Sequence, residues 1–120
     1  MFKNVIVVQI DSVLNYPPTL ALLEKLSDLE VNITLISTHT GHLVQNALPR
    51  SVKLVNVGKP YVNLRSSFLK LVDLFFIRKK VWGAIDSVYN EETILWIMSN
   101  ISIKHMGMKI INYRYNLHIF

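Results

Sequence analysis

Apolar runs of strand type alternate with helix-like stretches along this chain, and that alternation narrows the available folds more than any single motif. Asn4–Ile10, Asn32–Ser37, Val52–Val57, Ile94–Met98 and Lys109–His118 are the strand candidates, with helical or loop sequence between them. Strands separated by crossovers pair in parallel and carry their helices on the sheet faces. The expected fold class is therefore α/β: a three-layer α/β/α sandwich on a mainly parallel five-stranded sheet. At 120 residues the chain is long enough for one core and too short for two, so residues 1–120 are expected to form a single domain.

The run Asn4-Val5-Ile6-Val7-Val8-Gln9-Ile10 is almost continuously apolar and β-branched, as a central parallel strand buried on both faces should be. Asp11–Asn15 reads as a loop. Pro17-Pro18 stiffens the start of a helix in which Leu20, Leu22, Leu23, Leu26 and Leu29 share one stripe, opposite Glu24, Lys25 and Asp28. Leu43–Leu48 reads as a short helix that Pro49 ends. In the third strand Val52, Leu54 and Val57 alternate with Lys53 and Asn56, and Gly58-Lys59-Pro60 breaks it. Asn63 to about Tyr89 holds no strong breaker, and Phe68, Leu69, Leu71, Val72, Phe75, Phe76 and Trp82 make it apolar around much of its circumference. Such a helix is buried, faces a partner or lies on a membrane. Gly83 is its weak point, so one long helix or two meeting there both fit. Ile101–Met108 reads as a further short helix.

Apolar residues make up 51% of the chain and charged residues 18%, which suits strands covered on both faces or an outer surface that docks on something apolar. With no cysteine, disulfides, thiolate metal sites and a cysteine nucleophile are excluded, and a reducing, cytoplasmic setting fits. Met1-Phe2-Lys3-Asn4 leads into a strand-type run without a signal-peptide cleavage site, and no run approaches the ~20 apolar residues of a membrane span. The formal charge is +5, and its densest cluster is Arg78-Lys79-Lys80. Three cations without interleaved aromatic side chains do not make a nucleic-acid stripe, so no nucleic-acid partner is expected.

The residues that could carry chemistry gather after the first two strands. Asp11, Ser12 and Asn15 follow the first strand, and in open α/β sheets ligands bind beyond the carboxyl ends of the strands. The competing reading is a loop that satisfies its own backbone or caps the next helix. Ser37-Thr38-His39-Thr40-Gly41-His42 follows the second strand, where Gly41 permits a positive φ or a close backbone approach. His39 and His42 are three apart, but no third ligand is near in sequence, so no metal is expected. Ser12, His39 and Asp86 could be written as a triad, yet no Gly-x-Ser-x-Gly elbow is present. A phosphoaspartate receiver would need an acidic cluster where only Asp11 stands. Gln9–Leu14 offers no glycine for pyrophosphate, which disfavours a dinucleotide-dependent dehydrogenase and predicts no cofactor. Arg78, Lys79 and Lys80 lie next to Phe75 and Phe76 and near Trp82. That mixture suits a membrane or partner face, or a core-facing helix whose cations complement its dipole.

The order of these elements resembles a known group. Lys3–Ile10, the Pro17–Leu29 helix, Val31–Ser37 leading into His39-Thr40-Gly41-His42, and the long greasy helix look like the N-terminal, Rossmann-like half of a GT-B glycosyltransferase. Thr93-Ile94-Leu95-Trp96-Ile97-Met98-Ser99 resembles that half's strand with an aromatic and a small polar residue. Lys109–Phe120 resembles the strand after it, which in many bacterial members continues into a His-Glu-Leu type motif. Here Tyr115-Asn116-Leu117-His118-Ile119 stands in that place without the acidic residue, and the Gly-Gly pair that many members carry after the first strand is missing.

The resemblance covers essentially the whole chain through its pattern. It implies an acceptor-binding domain or subunit of an enzyme that transfers a sugar from a nucleotide sugar. Asp11, Ser12, His39 and Gly41 would line the acceptor crevice, and the acceptor would be a sugar or a lipid-linked molecule. The donor-binding half would lie on another chain or a missing segment, leaving this chain inactive alone. Arg78, Lys79, Lys80, Phe75 and Phe76 would meet a membrane, placing the protein peripherally at its inner face. Because the sequence stops within an apolar run, completion of the sheet by another chain or a homo-oligomer is also expected. The alternative from another class is a non-enzymatic, flavodoxin-like protein-interaction module whose long helix is the docking face.

Overall fold

The computed structural model describes residues 2–38, 40–58, 67–98, 102, 106, 113 and 115–118. Strand β1 (Asn4–Val8) leads through a single 3-10 turn at Val13–Asn15 into helix α1 (Pro17–Ser27). Strand β2 (Asn32–Ser37), helix α2 (His42–Ala47) and strand β3 (Val52–Asn56) follow. Helix α3 (Ser67–Val88) then precedes strand β4 (Thr93–Met98), and a four-residue strand, β5, spans Tyr115–His118.

β1 to β4 form a parallel sheet with β1 inside it. Val5 lies opposite Ile33 of β2 and Ile94 of β4, while Leu35 lies opposite Leu54 of β3. β5 pairs with the outer side of β4, also in parallel, with Leu95 opposite Tyr115. The order β3-β2-β1-β4-β5 means that the chain builds outward from β1 in one direction, then returns past it to lay down β4. Strand order therefore reverses between β1 and β4.

Side chains alternate across a strand, and here the alternation sends β1 into two separate cores. Val5 and Val7 pack with Ile33 and Leu35 under Leu23 and Leu26 of α1 and Val44 of α2. Ile6, Val8 and Ile10 pack with Ile36, Leu95 and Ile97 under Ile77, Val81, Trp82 and Ile85 of α3. Helices thus cover both faces, and burial on both faces is why β1 carries an unbroken apolar run.

Several local expectations change. Leu29 follows the leucine stripe by spacing but is exposed: α1 ends at Ser27, Asp28 caps it, and Glu30 turns the chain away with φ 56. Asp11–Asn15 is not wholly irregular, because Ser12 caps the 3-10 turn. α3 runs unbroken through Gly83, so the two-helix alternative does not hold over Ser67–Val88. Of the helix expected at Ile101–Met108, only Ser102 and Met106 are described, both helical. Asn63–Ser66, Lys109–Asn112, Arg114, Ile119 and Phe120 lie outside the described residues. No described helix is long and apolar enough to cross a membrane.

Candidate functional site

The parallel sheet brings the carboxyl ends of β1, β2, β3 and β4 to one edge, and the reversal point between β1 and β4 lies there. Such a point leaves a crevice between loops that run to opposite sides. Just past β1 the chain presents Gln9, Ile10, Asp11 and Ser12 to this edge.

Gln9 is fully buried, unusual for an uncharged polar residue of its length. Its Nε2 donates to Asp11 Oδ1 at 2.6 Å, and its Oε1 accepts from the Thr19 hydroxyl of α1 at 2.8 Å. Thr19 is fully buried as well. Asp11 also accepts from the Tyr16 hydroxyl; that bond is the main reason the Tyr16 phenol sits above its ordinary pKa, with burial and the carboxylate charge adding to it. Asp11 is thus a half-buried acceptor held by two neighbours. It can orient a hydroxyl or pair with a cation.

Ile10, fully buried, sits just past β1 at this edge. Its N–H donates to Ser102 Oγ at 3.0 Å, from the segment after β4. Its carbonyl accepts from Thr38 Oγ1 at 2.7 Å, from the Thr38 N–H at 3.2 Å, and from Ser37 Oγ at 3.4 Å. The first backbone N–H past Gln9, a donor of the kind a diphosphate would need at such a point, is therefore engaged within the protein.

Ser12 Oγ accepts from the Leu14 N–H at 3.3 Å, which is the capping role. Gly41 lies on the same edge as the N-cap of α2, and α2 sits against the Val13–Asn15 turn. The positive φ that Gly41 could have signalled is not used: φ is −69, and a Cβ there would meet nothing within 4 Å. His39 lies outside the described residues. Thr40 beside it joins the β2 and β3 loops, its hydroxyl accepting from Asn56 Nδ2 at 2.7 Å and its carbonyl from Gln45 Nε2 at 2.8 Å. Asp11, Ser12 and Gly41 thus share one edge of the sheet.

Phe75, Phe76, Arg78, Lys79 and Lys80 belong to a different surface, on α3. Phe75 and Phe76 are exposed and meet edge to face, their centroids 6.3 Å apart. Lys79 and Lys80 are exposed and Arg78 is half-buried. Asp86 accepts from the Tyr113 hydroxyl at 2.6 Å on α3, which commits it away from any triad with Ser12.

Gln9, Thr19 and Ser102 are the site residues that sequence reasoning did not single out. Gln9 carried a signal: it is the one polar letter between Val5 and Ile10. Ser102 carried none, since it is 92 residues from its partner. Among the described residues no group of three or more His, Cys, Asp or Glu could hold a metal ion. No protein-family model matches the chain, and no curated protein matches it in sequence.

Proposed function

We propose that this chain is the acceptor-binding domain or subunit of a glycosyltransferase. It works with a donor-binding half that carries the nucleotide sugar, and is inactive without it. The domain is read as a complete three-layer α/β/α sandwich of Rossmann-like type, with β5 as its fifth strand. Asp11 and Ser12, with His39 and Gly41 from the next loop, line the crevice for a sugar or lipid-linked acceptor. Asp11 is the group best suited to orient a hydroxyl.

One observation carries this reading. The Ile10 N–H, at the reversal point of a parallel sheet, is taken by Ser102 Oγ, and the β1 turn has no glycine. A diphosphate is gripped by free backbone N–H groups at such a turn, so the edge suits an uncharged, hydroxyl-rich ligand better than a nucleotide. The absence of cysteine supports a cytoplasmic setting.

A titration followed by amide NMR tests it. A short-chain alkyl glycoside is expected to shift the Asp11, Ser12 and Gly41 signals and to do so less in Asp11→Asn, while uridine diphosphate glucose leaves them unmoved. Nucleotide-sugar binding at the β1 edge would refute the reading. The interaction-module reading is favoured by the exposed phenylalanines of α3; it predicts that neither ligand shifts the β1 edge.

A further inference from the structure

α3 presents two unlike faces. Ile77, Val81 and Ile85, spaced at i, i+4 and i+8, are buried against the sheet. On the outer side Phe68, Leu71 and Phe75, at i, i+3 and i+7, form one stripe, with Phe76 beside it. They are exposed to 74%, 64%, 67% and 57% respectively. Three phenylalanines and a leucine so exposed on one element exceed the scattered apolar residues of an ordinary surface. One turn further on, Lys79 continues the stripe and Lys80 lies next to it, both exposed.

We infer that the outer face of α3 docks on an anionic lipid surface, the phenyl rings entering the interface and Lys79 and Lys80 meeting head groups. Charge decides for lipid over the other occupants. Ser67–Val88 carries four cations against two carboxylates, in a chain of formal charge +5. A two-fold contact is self-complementary, so a second copy would bring the same helix, with the same excess of cations over carboxylates, to the contact. An anionic membrane meets both halves of the face at once: it receives apolar rings at the acyl boundary and cations at the head-group level. A helix of 22 residues is about 33 Å long, but α3 is not apolar enough to cross a membrane, so it lies along such a surface. The inference stands on α3 and does not depend on the sugar-transfer reading, which rests on the β1 edge.

Co-sedimentation of the full chain with vesicles tests it, comparing phosphatidylcholine alone with phosphatidylcholine mixed with phosphatidylglycerol. Binding to the mixed vesicles, weakened by salt, is the expected result. Lys79→Gln and Lys80→Gln should each reduce it about 5-fold, and Phe68→Ser or Phe75→Ser about tenfold. All four positions are exposed, so the variants should keep the parent's circular dichroism. Leu43→Ser, at an apolar position on α2 exposed to 77%, should bind like the parent. Absence of binding to the mixed vesicles overturns the inference, as does equal binding to both vesicle types or a Leu43→Ser loss as large as that of Phe75→Ser. A concentration-dependent dimer in sedimentation velocity, abolished by Phe75→Ser, would assign the face to a second copy and overturn it too.

Discussion

The Thr19 hydroxyl donates to Gln9 Oε1 at 2.8 Å, and this bond sets the direction of a fully buried amide. With its oxygen taken, the amide must aim its NH2 at an acceptor, and it finds Asp11 Oδ1 at 2.6 Å. Helix α1 thereby aims a side chain one residue past the end of β1. Thr19→Val keeps the shape and removes the donor, leaving Gln9 Oε1 buried without it. The expected loss is about 1–3 kcal/mol in urea unfolding. Removing both partners, as Thr19→Val with Gln9→Met, should recover most of that loss. If the double variant is as unstable as the sum of the singles, the two side chains are not coupled and the relay is wrong.

Two glycines around α3 should respond to alanine in opposite directions. Gly58 has φ 151, and a Cβ on it would lie 3.1 Å from Ile77 Cγ1 in the core. Gly58→Ala should destabilise by about 1–3 kcal/mol. Gly83 is an exposed position inside the helix whose Cβ would meet nothing within 4 Å, so Gly83→Ala should stabilise by about 0.5–1 kcal/mol. Denaturation midpoints check both signs, and a shift in the same direction for both would contradict this geometry.

Gly41 caps α2 with no side-chain hydrogen bond. Serine is the better N-cap, by roughly a few tenths of a kcal/mol, and open space surrounds the position. Gly41→Ser should therefore raise the unfolding midpoint slightly and, with Gly41 lining the acceptor site as proposed, weaken the alkyl glycoside response at Asp11 and Ser12. A stabilised variant with an unchanged response would leave Gly41 as a cap and nothing more.

The strands were legible to different depths for physical reasons. β1, β2 and β4 are covered on both faces, so each reads as an apolar run that needs no partner to be recognised. Pattern alone could not follow the polar contacts. Gln9 appears as one interruption in β1, and nothing near it in sequence announces that Thr19 and Asp11 complete it. Ser102 reaches Ile10 only because β4 returns beside β1. Gly83 marks a weakness of about 1 kcal/mol relative to alanine, too little to break a helix held by Ile77, Val81 and Ile85. Gly41 was ambiguous because glycine serves both positive φ and helix caps, and only the backbone angle separates them. The stripe Phe68, Leu71, Phe75 was visible as apolar, but a helix apolar nearly all round does not reveal which side meets its own sheet.

Tyr113 ties the far end of α3 to the later chain. Its ring stacks on Trp82 at 5.0 Å and meets Tyr89 edge to face at 4.8 Å, and its hydroxyl donates to Asp86. Trp82 Nε1 donates in turn to the Met106 carbonyl at 2.8 Å. The bond to Asp86, helped by burial and the nearby carboxylate charge, pushes the Tyr113 phenol up to about 12 from an ordinary value of 10.0. A pKa raised on folding means that the folded state binds the proton more tightly, so the contribution is fully present below about pH 10 and disappears as pH rises through about 12. Phenolate absorbance should show a tyrosine titrating near pH 12 that is missing in Tyr113→Phe. The variant should be less stable at neutral pH and lose less stability than the parent across that alkaline window. Parallel losses in parent and variant would mean that the Asp86 bond does not govern the titration, and that Tyr113 holds α3 through its ring contacts alone.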